Sequence, residues 1–549
     1  MQTQVFIAGC GPVGLCLAID LAMRGIEVVI VDLRHPREIP TVRCNHVSSR
    51  TMEAFRRMGI ADQVRGVGLP DEYPNDIVFR PVATRSEFGR IPIPGRQGRQ
   101  ADADGPDGWW PTPEPPHRCN QIFFEPLLFD KAAAMPQITI LSRTRLDGFE
   151  QDETGVTAHV TDLDSGAVKA ISARYLVGCD GAQSLVRKAI GARLSGDAEI
   201  QKVQSTYFRA PDLLKIMPGT PGWMTYLYHP VRAGNLLAID GVVTWLLLNY
   251  LLPGETGFDE VDRDACLRMV LGVDASFDYE ILGVEDWTGR RLVADKFRDR
   301  RVFIAGDAAH LWVPYAGYGM NAGIADALNL SWLLAARING WGAEGMLDGY
   351  EAERKPITEQ VSRFAMSHAV KAIAERTQIP PNFLDDTPEA ARQREEIGRE
   401  AEALHVEQFA CAGLNFGYFY DQSPLIAYDG EHTPGYTMAD YTPSTVPGCR
   451  LPHFWLQDGQ SLYDAMGEEF VLLRFDSSVS VDRLVESARR AGVPLEVLDL
   501  SEEQAPDAYR HALVLSRPDR HVAWRGDHLP DDVDLLVARI SGHAVALVR

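Results

Sequence analysis

Nowhere in these 549 residues do eighteen apolar positions run without interruption, so the sequence offers no helix fit to span a bilayer. Cysteine pairing signals are missing as well. The eight cysteines (10, 16, 44, 119, 179, 266, 411 and 449) are scattered without a Cys-x-x-Cys pair. That argues against a metal site or a disulfide framework, and for reduced thiols in a cytoplasmic protein. Basic charge is short too: 54 Lys and Arg stand against 76 Asp and Glu, a formal charge of −22. A protein that displaces counterions from nucleic acid needs the opposite balance, so no nucleic-acid partner is expected. The start, MQTQVFIAGCG, has no basic stretch leading into a long apolar run and a small-residue cleavage site.

What is present suits a large folded chain. With 45% hydrophobic and 24% charged residues the composition is that of a globular protein, and the length suggests two or three units. Residues 4–9 (QVFIAG) read as a short buried strand. Gly9-Cys10-Gly11-Pro12-Val13-Gly14 follows, then LCLAIDLAMRG at helical spacing, then a second apolar strand over 27–32 (EVVIVD). This order of strand, Gly-x-Gly-x-x-Gly, helix, strand and acid is the dinucleotide-binding fingerprint. Gly9 permits the turn, Gly11 lets a pyrophosphate approach the backbone, and Gly14 lets the helix pack on the strand. The helix then directs its positive end at the phosphates. Asp32 is placed for an adenosine ribose, which favours FAD or NAD over NADP; the motif alone does not separate the first two. A chance cluster of glycines would lack these flanking elements.

Farther along, helices are expected at 51–58, 123–135, 323–338, on to about 377, and at 388–410, with Thr387 and Pro388 as N-cap and first helical residue. Residues 137–143 and 155–161 alternate like antiparallel strands. Short strands at 223–228, 235–239 and 244–249 suggest an antiparallel sheet inserted into the nucleotide domain. Met224, Tyr226 and Tyr228 share one strand face, and Trp223, Thr225, Leu227 and His229 the other. One face is expected to wall a pocket, although aromatic strands are more often core. Beyond 440–455, alternating strands (470–475, 495–499, 511–516, 521–525) and helices (481–491, 531–539) form a small α/β module.

A second glycine-rich stretch, Gly306-Asp307 through Gly317-Tyr318-Gly319-Met320-Asn321, lies deep in the chain behind an apolar strand at 301–305. It contains no lysine or arginine. With the motifs around it, it resembles the class A, single-component FAD-dependent aromatic hydroxylases, the p-hydroxybenzoate hydroxylase-like group. The phenolic and polyketide hydroxylases with a C-terminal thioredoxin-like domain are the subgroup it is most similar to. The resemblance covers essentially the whole chain and rests on GCGPVG, on Arg43 and Arg50 in VRCNHVSSRTMEAF, on HRCNQIFFEPLL, on YLVGCDGAQSLVR, and on RVFIAGDAAHLWVPYAGYGMNAGIADALNL followed by YEAERKP. Each is weak alone; five in order are specific.

The resemblance implies an α/β fold: a Rossmann-like FAD-binding domain with an inserted antiparallel-sheet substrate domain, and a C-terminal thioredoxin-like α/β domain. The expected bounds are 1–377 for the catalytic unit, with substrate-domain segments near 76–110 and 195–292. A helical segment and linker follow over 378–445, then the terminal domain over 446–549, which lacks Cys-x-x-Cys. FAD would be held by Gly9, Gly11, Pro12, Val13, Gly14, Asp32, Arg43, Gln121, Asp180, Asp307, Gly317, Gly319, Met320 and Asn321. The family reaction reduces FAD with NADPH or NADH, adds O₂ at flavin C4a as a hydroperoxide, and passes one oxygen to an electron-rich aromatic ring. The Pro314 carbonyl would face that substrate, with Tyr226 and Tyr228 as candidate contacts. No metal is implied, and a homodimer is one expected assembly. A second Gly-x-Gly-x-x-Gly is missing, which fits transient nicotinamide binding, to which Arg34 and Arg43 could contribute charge.

Three departures stand out: Asp32 where the family usually has Glu, Ala316 where it often has Gly, and no cysteine pair in the terminal module. His310 reads as a structural histidine before a catalytic one. Trp109 and Trp110 could line an entrance or pack the Pro-rich loop. Two rival functions stay open. One is a Baeyer–Villiger or epoxidising monooxygenase on the same scaffold; the other is a non-catalytic flavin-binding redox sensor or interaction protein.

Overall fold

The computed structural model describes residues 1–99, 105–313 and 317–544. Its first sheet runs in the order 298–299, 302–304, 175–178, 5–8, 28–31 and 138–141. Strands Val5–Ala8, Val28–Val31 and Tyr175–Gly178 are only four residues long and buried throughout, as the Val/Ile-rich centre of a parallel sheet must be. The first helix, Pro12–Met23, starts with proline in its first turn and packs along this sheet.

Residues 138–141 depart from the antiparallel expectation. Ile138–Leu141 pairs parallel with Val28–Val31, Ile138 opposite Val28, and forms the sheet edge. The crossover helix Gln121–Ala133 in front of it sets that direction, which alternation in so short a strand cannot report. Strands 144–151, 156–162 and 168–173 form a separate antiparallel sheet.

The second large sheet has eight strands, ordered 310–311, 280–294, 194–209, 244–250, 233–238, 224–228, 77–80 and 89–91. Its longest members, Leu194–Arg209 and Glu280–Ala294, pair antiparallel along most of their length. Neither stood out from the sequence, because both are polar and largely solvent-facing toward one end. Two long helices, Gly345–Arg376 and Pro388–Phe409, follow; Thr387 caps the second by accepting from Ala390 N. Helix 388–409 lies on the sheet, with His405 against Tyr226 at 4.4 Å between ring centroids.

The terminal module has a mixed sheet ordered 495–499, 470–474, 513–516 and 522–526, with helices Asp482–Ala491 and Val533–Ile540. It is docked on the rest through an ion pair with both side chains at 0% exposure. Arg517 grips Glu353 with two hydrogen bonds of 2.6 and 2.7 Å. All eight cysteines are free. Among the described residues no helix is long and apolar enough to cross a membrane.

Candidate functional site

The two glycine loops meet. Val13, in the first turn of the first helix, is wedged against Gly306 and Gly323. A methyl added to Gly323 would lie 2.8 Å from both Val13 Cγ2 and Gly306 Cα. A methyl on Gly14 would fall inside the Gly9 carbonyl, so these positions are small because backbone or helix passes there. Gly11 and Gly319 differ: a methyl on either meets nothing within 4 Å.

Around the first loop, Asp32 accepts from Cys10 N at 2.7 Å and Arg34 N at 2.9 Å. Arg34 also reaches Glu125 at 2.7 Å and the Cys10 carbonyl at 3.0 Å. Gln121, at the start of its helix, donates to Glu125 one turn on. Asp32, Arg34, Gln121 and Glu125 therefore form one connected polar patch beside the fingerprint turn.

Asp180 takes three hydrogen bonds from Ser184 Oγ, Leu185 N and Val186 N, and so orders the turn into helix Leu185–Ala189. Arg187 in that helix donates to Ala308 O at 3.2 Å, tying this turn to the second loop. Asp307 stays exposed to solvent although protein surrounds it. That crowding raises its pKa, against the opposing pull of His310 and Arg43. Arg43 itself is engaged by Glu285 of strand 280–294.

Behind the loop, Asp326 is fully buried. It accepts from Gly306 N at 3.2 Å, His310 Nε2 at 2.7 Å and Arg354 Nε at 2.8 Å. Burial alone would raise its pKa; His310 and Arg354 outweigh that and lower it. His310 is thus part of the scaffold.

The long helix begins at Tyr318, earlier than its periodicity suggests, with Gly317 at φ 59° as its N-cap. Gly319 and Met320 therefore occupy its first turn, where backbone N–H groups have no intrahelical partner, and Asn321 follows them. Asn321 is buried and fully occupied. Its Oδ1 accepts from Ser48 N (2.9 Å) and Thr51 Oγ1 (2.8 Å), and its Nδ2 donates to His46 O and Gly317 O. It locks segment 46–51 to the helix start. Pro314 and Ala316 lie outside the described residues.

One group next to this corner was missed by sequence reasoning. A methyl on Gly317 would meet His46 Cβ at 2.9 Å. The Nδ1 of His46 contacts Arg118, whose guanidinium lies 4.9 Å over the Trp223 ring and 5.7 Å over Phe409. Asp107 pairs with Arg99 at 2.9 Å and Arg118 at 3.4 Å. Burial, reinforced by Arg118, holds the His46 pKa well below its usual value, so the ring is neutral. Its buried Nε2 has no partner among the described residues. Arg118 lies in the stretch HRCNQIFFEPLL, which was the available signal; nothing local marks His46 or Asp107.

The two tyrosines lie beneath helix 388–409. Tyr226 accepts from Gln408 at 2.7 Å, and Tyr228 packs edge-on to Phe88 at 5.4 Å, both buried under the sheet-covering helix. Trp110 is buried and donates to Asp107 at 2.6 Å, whereas Trp109 is 67% exposed.

Comparison with known proteins places this geometry in a family. Residues 2–365 match the family model described as an FAD binding domain, and residues 444–544 that of the aromatic-ring hydroxylase C-terminal domain. The chain belongs to the FAD-dependent aromatic-ring hydroxylases. This hydroxylase is 31% identical to the FAD-dependent monooxygenase apdD of Emericella nidulans, over 98% of the chain and 90% of the relative. It is 30% identical to a phenol 2-monooxygenase of a Pseudomonas species, over 97% of the chain and 91% of the relative. Among solved structures, RebC with bound 7-carboxy-K252c matches at a TM-score of 0.88 and 34% identity, covering 99% of this chain and all of that one. The hydroxylase is therefore a flavoprotein monooxygenase with FAD as its cofactor.

The residues present fit such a cofactor. Gly11 and Gly319 leave open space at the two loops, Asp307 is exposed to solvent at the start of the second, and the first turn of helix 318–339 has backbone N–H groups without intrahelical partners.

Proposed function

We propose that this hydroxylase inserts one atom of O₂ into a phenolic or polyketide-type aromatic substrate, with NADPH or NADH as the reductant. The observation that carries the reading is the convergence of the two loops at Val13, with a neutral histidine and a cation-faced aromatic wall beside Gly317. When bound, the flavin supplies electrons from the nicotinamide and the activated oxygen. The chain supplies position. Gly9, Gly11, Pro12, Val13 and Gly14 hold the pyrophosphate at the first helix, and Asp32 holds the ribose. Arg43, Gln121, Asp180 and Asp307 complete the cleft, and Gly317, Gly319 and Met320 present backbone N–H groups to the ring edge, with Asn321 fixing that turn in place.

Arg118, kept charged by Asp107, and the indole of Trp223 would receive a flat, electron-rich ring, with His46 Nε2–H as a donor to a phenolic oxygen. Tyr226 and Tyr228 form the rear wall through their packing, and Pro314 remains the proposed carbonyl facing the substrate. A fused-ring aromatic is favoured over a single phenol, because the RebC match was captured with 7-carboxy-K252c.

The test is oxidation of NADPH and NADH by the FAD-loaded protein across simple phenols and fused-ring aromatics, under labelled O₂. Stimulation by a fused-ring phenol, and a product carrying one labelled oxygen on an intact ring, is the expected result. No stimulation by any aromatic sinks the proposal. A lactone or epoxide product replaces it with the Baeyer–Villiger or epoxidising reading.

A further inference from the structure

A cavity of about 320 Å³ is lined by residues outside the two glycine loops at 9–14 and 306–319. It lies where helices 49–57 and 318–339 face the terminal module. Six arginines line it (Arg24, Arg50, Arg56, Arg57, Arg450 and Arg520) against four carboxylates, Glu53, Asp464, Glu468 and Asp519. Every carboxylate is already engaged: Glu53 by Arg450, Asp464 by Arg56 at 2.7 Å, Glu468 by Arg57 at 2.6 Å and Asp519 by Arg517 at 2.7 Å. Arg24 is held by Asp20 and Glu469. Arg50 and Arg520 are left, and among the described residues neither has a carboxylate partner.

Both are built into the wall. Arg520 is only 9% exposed and donates through Nη2 to the carbonyls of Tyr463 (3.0 Å) and Gly467 (2.6 Å). Arg50 lies 4.4 Å over the Tyr418 ring. The Nη1 of each is buried, with no hydrogen-bond partner among the described residues. Burial, with Arg57 nearby, pushes the Arg520 pKa down to about 10, as for a cation short of counter-charge. A buried guanidinium with unused donors is costly unless an anion completes it. Two arginines that line one cavity, each without a carboxylate partner among the described residues, match the double charge of a phosphoryl group.

We infer that this cavity is an anion-binding site for a phosphoryl group, clamped between the catalytic unit and the terminal module. Asn321 and Thr51 also line it, so an occupant would stand one side chain from the Gly317 corner and stiffen the loop there.

The test uses the full chain saturated with FAD, so that the fingerprint turn is filled, and reads binding rather than turnover. It is therefore independent of the proposed hydroxylation. Inorganic phosphate is titrated calorimetrically at constant ionic strength set with chloride. One saturable site is expected, weakened about tenfold or more in Arg520→Gln and likewise in Arg50→Gln. Arg50 holds no backbone carbonyl among the described residues, so Arg50→Gln stands as the second variant if Arg520→Gln misfolds. Displacement of phosphate by NADPH but not NADH would assign the site to the 2′-phosphate of the coenzyme; displacement by neither would assign it to free phosphate. Absence of saturable phosphate binding in the unmodified protein, or undiminished binding in the folded variants, overturns the inference.

Discussion

The turn at 9–14 and the loop from 306 to 323 are both rich in glycine, yet glycine serves two purposes in each. Gly14 and Gly323 are small because another part of the chain occupies the space beside them. Gly11 and Gly319 are small with nothing beside them. Packing explains the first pair and leaves the second unexplained, unless something outside the polypeptide comes close. The contrast separates glycines that build the cleft from glycines that face its occupant.

The largest effect should come from the builders. Gly14→Ala drives a methyl into the Gly9 carbonyl, and backbone cannot yield as a flexible side chain can. The expected outcome is little folded protein and no retained FAD, read from thermal melts and the flavin spectrum. Wild-type stability from a folded, yellow Gly14→Ala protein would end the distinction.

Asp326→Asn comes next, because it leaves Arg354 buried without its carboxylate, at a cost of about 3–5 kcal/mol. The pH dependence follows from the lowered pKa of Asp326. Its contribution is full above the ordinary carboxylate value of 3.8 and is lost as pH falls through the depressed folded-state value. Acid melts should therefore show the variant and the unmodified protein converging only in strong acid. Gly323→Ala should cost about 1–3 kcal/mol by wedging the two loops apart, with weaker FAD retention in the same samples.

The ligand-facing pair should behave in the opposite way. Gly319→Ala sits in a helical first turn with open space, so the cofactor-free protein should melt unchanged or up to about 1 kcal/mol more stable. FAD binding should nonetheless weaken, by about tenfold in fluorescence titrations. If FAD affinity is untouched in both Gly319→Ala and Gly11→Ala, open space does not mark the cofactor. The smallest effect is expected from Tyr226→Phe, which removes the hydrogen bond from Gln408 for about 1 kcal/mol. FAD retention should hardly change, since that phenol faces the covering helix.

Much of this arrangement was legible along the chain. The fingerprint, the second glycine stretch, the Thr387 cap and nearly every element of the terminal module follow from spacing, caps and periodicity over a few residues. The strand at 138–141 was legible as a strand but not in direction, because direction belongs to its partner. The long strands 194–209 and 280–294 were illegible because polar, half-exposed strands carry no strong period. His46 and Asp107 were illegible for another reason. Their meaning lies in what they face: Gly317, some 270 positions away, and Arg118.

The sequence by itself thus determined that a dinucleotide-binding sheet forms, that a second glycine loop follows a buried strand, and which aromatic hydroxylase family the motifs resemble. Such features are local, fixed by sterics and hydrogen bonding between near neighbours. Only the tertiary structure decided that Val13 joins the two loops, that Asn321 is spent on segment 46–51, that Tyr226 turns to Gln408, and that Arg50 and Arg520 share a cavity without counter-charge. Those facts depend on which distant side chains burial brings together, and burial is a property of the whole chain.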